Sequence, residues 1–150
     1  MNCPLILKGP GVPKGKSSNA FTYVHDLYAT ICDFADIDTP AGVDSKKLMP
    51  IMNGQTESVR QSVFLPFQDN QRAVRDGQWK LHVYPRINHQ LLFDLSTDPH
   101  EMKNLAAAPE HRAAVARMQV LMETWRKRLN DPYPLSVENP ERKEPAYDNG

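Results

Sequence analysis

Apolar positions along the chain change their spacing several times, and each change predicts a different element. Pro4-Leu5-Ile6-Leu7 is a short continuous apolar run, the pattern of a strand covered on two faces, and a Pro/Gly-rich stretch follows it directly. Residues 19–24 read as extended. Asp26 then precedes Leu27, Ile31, Phe34 and Ala35 at helical spacing, which predicts a helix from Leu27 to Ile37 with Asp26 as its N-cap and a stop before Thr39-Pro40-Ala41-Gly42. Residues 39–61 are loop-rich, with one short apolar patch, Leu48-Met49-Pro50-Ile51-Met52, ended by Asn53-Gly54.

Beyond residue 61 the spacing becomes two. Ser62-Val63-Phe64-Leu65 is a candidate strand, and residues 72–84 alternate on either side of Asp76-Gly77. Asp-Gly between alternating segments predicts a two-residue type I′ hairpin, with Val74 opposite Trp79 and with Leu81 and Val83 continuing that face. Leu91-Leu92-Phe93-Asp94-Leu95 adds a further strand, and Asp98-Pro99-His100-Glu101 carries three signals of a helix start. Pro109 opens a longer helix in which Ala114, Met118, Leu121, Met122, Trp125 and Leu129 share one side. An antiparallel sheet covered by one amphipathic helix is the expected result, with Trp79 facing that helix. Residues 131–150 are rich in Pro and Glu with few apolar residues and are expected to be a poorly ordered tail.

Composition narrows the function classes. Eighteen basic and eighteen acidic side chains among 150 residues leave a formal net charge of zero, so charge implies neither a nucleic-acid partner nor an anionic membrane surface. No apolar run approaches the roughly 20 residues that cross a bilayer. Two cysteines, Cys3 and Cys32, are too few for a disulfide framework or a four-thiolate zinc site, and their pairing and redox state stay open.

Candidate chemistry is thin. The stretch "GPGVPKGKSS" fails as a phosphate-binding loop, because Pro10 stands where the first glycine must be. His25-Asp26 as a base with its orienting carboxylate competes with the cap role of Asp26, and the cap is favoured. Asp98 and Glu101 as an acid-base pair compete with a capping box, which explains the same spacing. His82, His89, His100 and His111 lack the i, i+4 spacing of a helical zinc site. Arg72, Arg75 and Lys80 around the hairpin form a candidate anion site, although such charges on a sheet face are usually just solvated. Met118, Met122 and Trp125 read as core.

The order of signals resembles a family. "PLILKGPGVPKGKSSNAFTYVHDLYATICDFADIDTPAGVDSKKLMPIMNGQ" followed by "RAVRDGQWKLHVYPRINHQLLFDLSTDPHEMKNLA" is similar to the C-terminal part of the formylglycine-dependent sulfatases, over about residues 4–130. The pieces that carry it are His25-Asp26-Leu27, Asp44 before Leu48-Met49-Pro50, Arg72-x-Val-Arg-Asp-Gly-x-Trp-Lys, Leu92-Phe93-Asp94-Leu95, and Asp98-Pro99-x-Glu101-x-x-Asn104-Leu105. The resemblance implies an α/β fragment plus α+β. Residues 1–58 would be the end of an alkaline-phosphatase-like sulfatase catalytic domain, 59–130 the small antiparallel sheet with its C-terminal helix, and 131–150 the tail. "GPGVPKGKSS" would then be the turn after a strand of the large sheet.

For the parent enzyme the resemblance implies calcium, a formylglycine nucleophile made from Cys/Ser-x-Pro-x-Arg, and a sulfated small molecule or glycan bound through a preceding N-terminal part. Neither Cys3-Pro4-Leu5-Ile6 nor Cys32-Asp33-Phe34 fits that pattern. No catalytic or metal residue is therefore assigned, no cofactor is expected in this chain, substrate-binding residues stay unknown, and the chain alone is expected to be inactive. It reads as a fragment with Met1 an artificial or mispredicted start. A parent resembling typical sulfatases would be periplasmic, secreted or lysosomal. The alternative is a free-standing sheet-plus-helix binding or interaction module without catalysis.

Overall fold

A computed structural model describes residues 4–141; Cys3 lies outside the described residues. The chain divides into two compact units, Met1–Gln61 and Ser62–Gly150.

In the first unit the apolar run at residues 4–7 is not a strand. It joins no sheet among the described residues, and Ile6 is 88% exposed. A strand exists only as part of a ladder, and without partner N–H and C=O groups an apolar run stays irregular. Residues 19–23 are irregular for the same reason. Helix α1 spans Asp26–Phe34. It ends earlier than Ile37 because Asp36 adopts φ +54°, and the N–H of Ile37 turns back to the carbonyl of Cys32 at 2.9 Å, the bond of a Schellman close. The apolar patch after Leu48 forms the single-turn helix α2, Met49–Met52. Gly54, at φ +72°, closes it in the same way, with the N–H of Gln55 bonded to the carbonyl of Pro50.

The second unit is a four-stranded antiparallel meander in the order β1 Val63–Phe67, β2 Gln71–Arg75, β3 Trp79–Tyr84, β4 His89–Asp94. Alternation sends Phe64, Val74, Leu81, Val83 and Leu92 into one core with Met118 and Met122 of α3 (Arg112–Arg128), with Trp79, Leu121 and Trp125 packed against it. The ring of Trp125 lies parallel to Phe64, centroids 6.5 Å apart, and its indole N–H donates to Ser62 Oγ at 2.8 Å. A short 3-10 turn, Pro109–His111, precedes α3.

Two local expectations fail. Val74 pairs with Leu81 and Arg75 with Lys80, so Gly77-Gln78 occupy the tip of the hairpin, and Gly77 does not take a positive φ. The Asp76 carboxylate decides this by accepting the N–H groups of Gln78 and Trp79 at 2.9 and 2.6 Å, an Asx turn in place of a type I′ turn. Because the pairing moves by two positions, every side chain keeps its face. At Asp98 no helix starts. Glu101 takes φ +58°, outside the helical region, and Asp98 Oδ2 accepts the N–H of Lys103 at 2.9 Å. Residues 131–141 have no helix or strand, but they are not a loose tail: Leu135 packs against the core and Asp131 pairs with Arg72.

Candidate functional site

Each unit buries carboxylates together with cations. In the first, the Asp26 side chain is fully buried. It does not cap α1, whose N-cap is His25. Its two oxygens instead accept both terminal nitrogens of Arg60 at 2.5 Å, the N–H of Tyr23 at 2.7 Å and the N–H of Lys46 at 2.8 Å. Burial by itself would raise this pKa, but the Arg60 and backbone donors outweigh it and hold the carboxyl below its usual range. Tyr23 lies under the Arg60 guanidinium at 4.8 Å and stacks on His25 at 4.9 Å. His25 Nε2 stands 3.9 Å from Asp26 Oδ1, but a carboxylate already filled by four donors is neither a base nor a metal ligand. The pair clamps the start of α1 to the segments at 44–46 and 60.

In the second unit, Lys80 and His82 point away from the α3 side of β3. Lys80 Nζ meets both oxygens of Glu101 at 2.7 Å, and His82 Nε2 is 3.7 Å from Glu101 Oε2. The Gln71 amide bonds His82 Nδ1 at 2.5 Å, which puts the proton of a neutral ring on Nε2, toward Glu101. Burial, reinforced by the nearby Lys80 charge, lowers the His82 pKa to about 4, so the ring is neutral near pH 7. Glu101, despite its own partial burial, is held below its usual range by Lys80. The positive φ of Glu101 is backbone strain that this ion pair helps to hold.

The candidates read from sequence are thus scattered. Arg72 and Lys80 are not solvated charges on an open face: they are 1% and 6% exposed, paired with Asp131 and Glu101. Their anions come from the chain itself. Arg75 sits opposite Lys80 in the ladder. Four of the five histidines serve as packing surfaces, His25 on Tyr23, His82 against Tyr84 and Phe93, His89 against Tyr84 and His111 against Trp79, while His100 is exposed. Among the described residues no three His, Cys, Asp or Glu side chains are grouped to hold a metal ion. The carboxylates of these clusters do not fit calcium, because Asp26, Glu101 and Asp131 each already face a cation. Cys32 is a half-buried free thiol. Sequence reasoning missed Arg60, Asp131 and the true partner of Glu101. The available signal was Lys80 between Trp79 and Leu81, a charge in a central strand that burial obliges to find a carboxylate.

Residues 1–128 match the family model described as N-sulphoglucosamine sulphohydrolase, C-terminal, and the chain belongs to that family. It is 28% identical over 143 residues to a Delta 4,5-hexuronate-2-O-sulfatase of Bacteroides thetaiotaomicron, covering 88% of this chain and 30% of the relative. The solved structure of a 2-O GAG sulfatase superposes with TM-score 0.68 at 28% identity, over 82% of this chain and 29% of that one. A phosphonate monoester hydrolase from Silicibacter pomeroyi also superposes with TM-score 0.68, at 26% identity, over 81% of this chain and 28% of that one. The chain therefore spans about 30% of the length of these relatives. No helix among the described residues is long and apolar enough to cross a membrane.

Proposed function

We propose that this chain is the C-terminal part of a sulfatase whose remaining polypeptide carries the nucleophile, the metal and the sulfate-binding residues. In this reading residues 1–58 close the α/β catalytic domain and the sheet unit is the small subdomain that follows it in the chain. The parent hydrolyses sulfate esters or sulfamates on a small molecule or glycan. A calcium ion and a formylglycine, held by residues of that remaining polypeptide, would supply Lewis-acid polarisation of the sulfate and the nucleophile. The residues described here supply structure to that enzyme and no reacting atom. Export to a periplasmic, secreted or lysosomal-type compartment belongs to the same proposal.

The family match over residues 1–128 carries the reading. It is supported by the first unit, which leaves Val24, Ile31 and Ile37 at least 60% exposed, an apolar surface suited to cover by neighbouring strands and helices of a larger domain. Reading the coding DNA upstream of the Met1 codon tests it. An in-frame Cys/Ser-x-Pro-x-Arg segment supports it, and a promoter with its own start site at Met1 overturns it. The full reading frame should then turn over an aryl sulfate or a 2-O-sulfated uronate, while residues 1–150 alone should not. Because one similar fold belongs to a phosphonate monoester hydrolase, a phosphonate monoester is the necessary second substrate. Preference for it over every sulfate ester would move the parent to that activity.

A further inference from the structure

The family match stops at residue 128, but the chain keeps bonding to the sheet unit well beyond it. α3 closes with Asn130 at φ +51°; the N–H of Asn130 reaches the carbonyl of Lys127 at 3.3 Å and that of Asp131 reaches Arg126 at 3.0 Å. This Schellman close reverses the chain and brings Asp131 to the end of β2. There its carboxylate accepts Arg72 Nε at 2.6 Å and Nη2 at 2.9 Å, with Arg126 Nε at 3.8 Å. The Tyr133 ring covers the Arg72 guanidinium at 4.9 Å, and the Tyr133 carbonyl accepts a bond from Arg126.

Further on, the backbone of Val137 and the side chain of Asn88 exchange two hydrogen bonds, at 2.8 and 2.9 Å. Asn88 is itself held at φ +48° in the β3–β4 turn. The N–H of Glu141 donates to the carbonyl of Arg86 at 2.7 Å.

We infer that residues 131–141 are a strap that belongs to the subdomain and locks it, with Asp131 as the latch on Arg72 and Asn88 as the second anchor. The physical ground is burial. Arg72 is 1% exposed, its Nη1 is satisfied by the carbonyls of Gln68 and Gln71, and Asp131 is the carboxylate it meets among the described residues. Remove that carboxylate and a charge is left uncompensated inside the unit. The strap and the strand therefore stabilise one another.

Amide hydrogen exchange and urea unfolding of the full chain test this with two variants, Asp131→Asn and Asn88→Gly, the second keeping the left-handed backbone easy while removing the side-chain anchor. In the unmodified chain the N–H of Val137 should exchange at least about tenfold more slowly than in an unfolded peptide. Asp131→Asn should lower the urea midpoint of the sheet unit and erase that protection. Asn88→Gly should erase the protection at Val137 while the β2 and β3 amides stay protected, so it remains decisive if Asp131→Asn fails to fold. Val137 exchanging at the unfolded-peptide rate in the unmodified chain, an unchanged midpoint in Asp131→Asn, or full protection of Val137 in Asn88→Gly would each overturn the inference.

Discussion

Phe64, Val74, Leu81, Val83, Leu92, Met118 and Met122 form one continuous core in the second unit, whereas the first buries Ala29 and Leu48 and exposes Leu5, Ile6, Val24, Tyr28, Ile31, Phe34 and Ile37. The second unit is held by apolar area and the first by a polar clamp, Asp26 with Arg60. Fully burying one large apolar side chain contributes about 1.5–3 kcal/mol, so two buried apolar residues cannot offset the ordering cost of some sixty residues. The difference teaches that the first unit has the surface of a piece of something larger and the second that of a domain.

The contrast can be broken most severely at the clamp. Replacing Arg60 with Ala leaves Asp26 charged and buried, and we expect a loss of about 3–5 kcal/mol in the first unit, read as collapse of amide protection across α1 with the β2–β4 amides unaffected. Protection in α1 that survives would show that the clamp is not what holds this unit. Even unmodified, α1 should exchange faster than β2–β4. Equal protection would erase the comparison.

In the second unit the matching test is Trp125→Ala. The ring is only partly buried, so the expected loss is about 3 kcal/mol, the low end for a core tryptophan, including its bond to Ser62. A urea midpoint that does not move would mean that α3 does not secure the sheet.

Acid should act on the two units in different ranges. His82 has its pKa lowered from 6.5 to about 4, so the unfolded chain takes up a proton there before the folded chain does. Stability of the sheet unit then rises with pH between those values and falls as pH drops from 6.5 toward 4, by up to about 3 kcal/mol. His82→Gln should flatten that slope, and an unchanged slope would exclude His82 as its source. The Asp26 clamp has the opposite ionisation: a depressed carboxyl stabilises above its unfolded value of 3.8 and loses that contribution only as pH falls below it. Guanidine-free acid titration followed at α1 and at β3 separates the two.

The smallest effect concerns the turn out of α3. Asn130→Ala keeps every backbone bond at the end of the helix but forces a Cβ without a polar side chain into the left-handed region, and should cost about 1 kcal/mol. Asn130→Gly should not, and equal losses for both would deny the role of the backbone angle.

Much of the second unit was legible because its information is local and repetitive. Alternation from Val63 to Leu95 and the 3.6 spacing of Met118, Met122 and Trp125 pick out strands, helix and inner face without reference to anything distant. The turn at Asp76 misled because Asp-Gly satisfies two turn chemistries, and the side chain that caps Gln78 and Trp79 is invisible in the dipeptide. Asp98-Pro99-x-Glu101 misled because the spacing of a capping box carries no trace of the lysine 21 residues earlier that Glu101 pairs with instead. In the first unit, Pro4-Leu5-Ile6-Leu7 carries the pattern of a buried strand, but a pattern cannot supply the neighbours that make a strand.

By itself the sequence determined the periodicities, hence the four strands and the long closing helix of residues 62–128, the faces that meet, and the family resemblance carried by residues 4–130. Only the tertiary structure decided which charge meets which: Asp26 with Arg60, Lys80 with Glu101, Arg72 with Asp131. Hydrophobic burial is non-directional and can be read from spacing. An ion pair joins residues 34, 21 and 59 positions apart in these three cases, and no local rule links such distant positions until the fold brings them within hydrogen-bond reach.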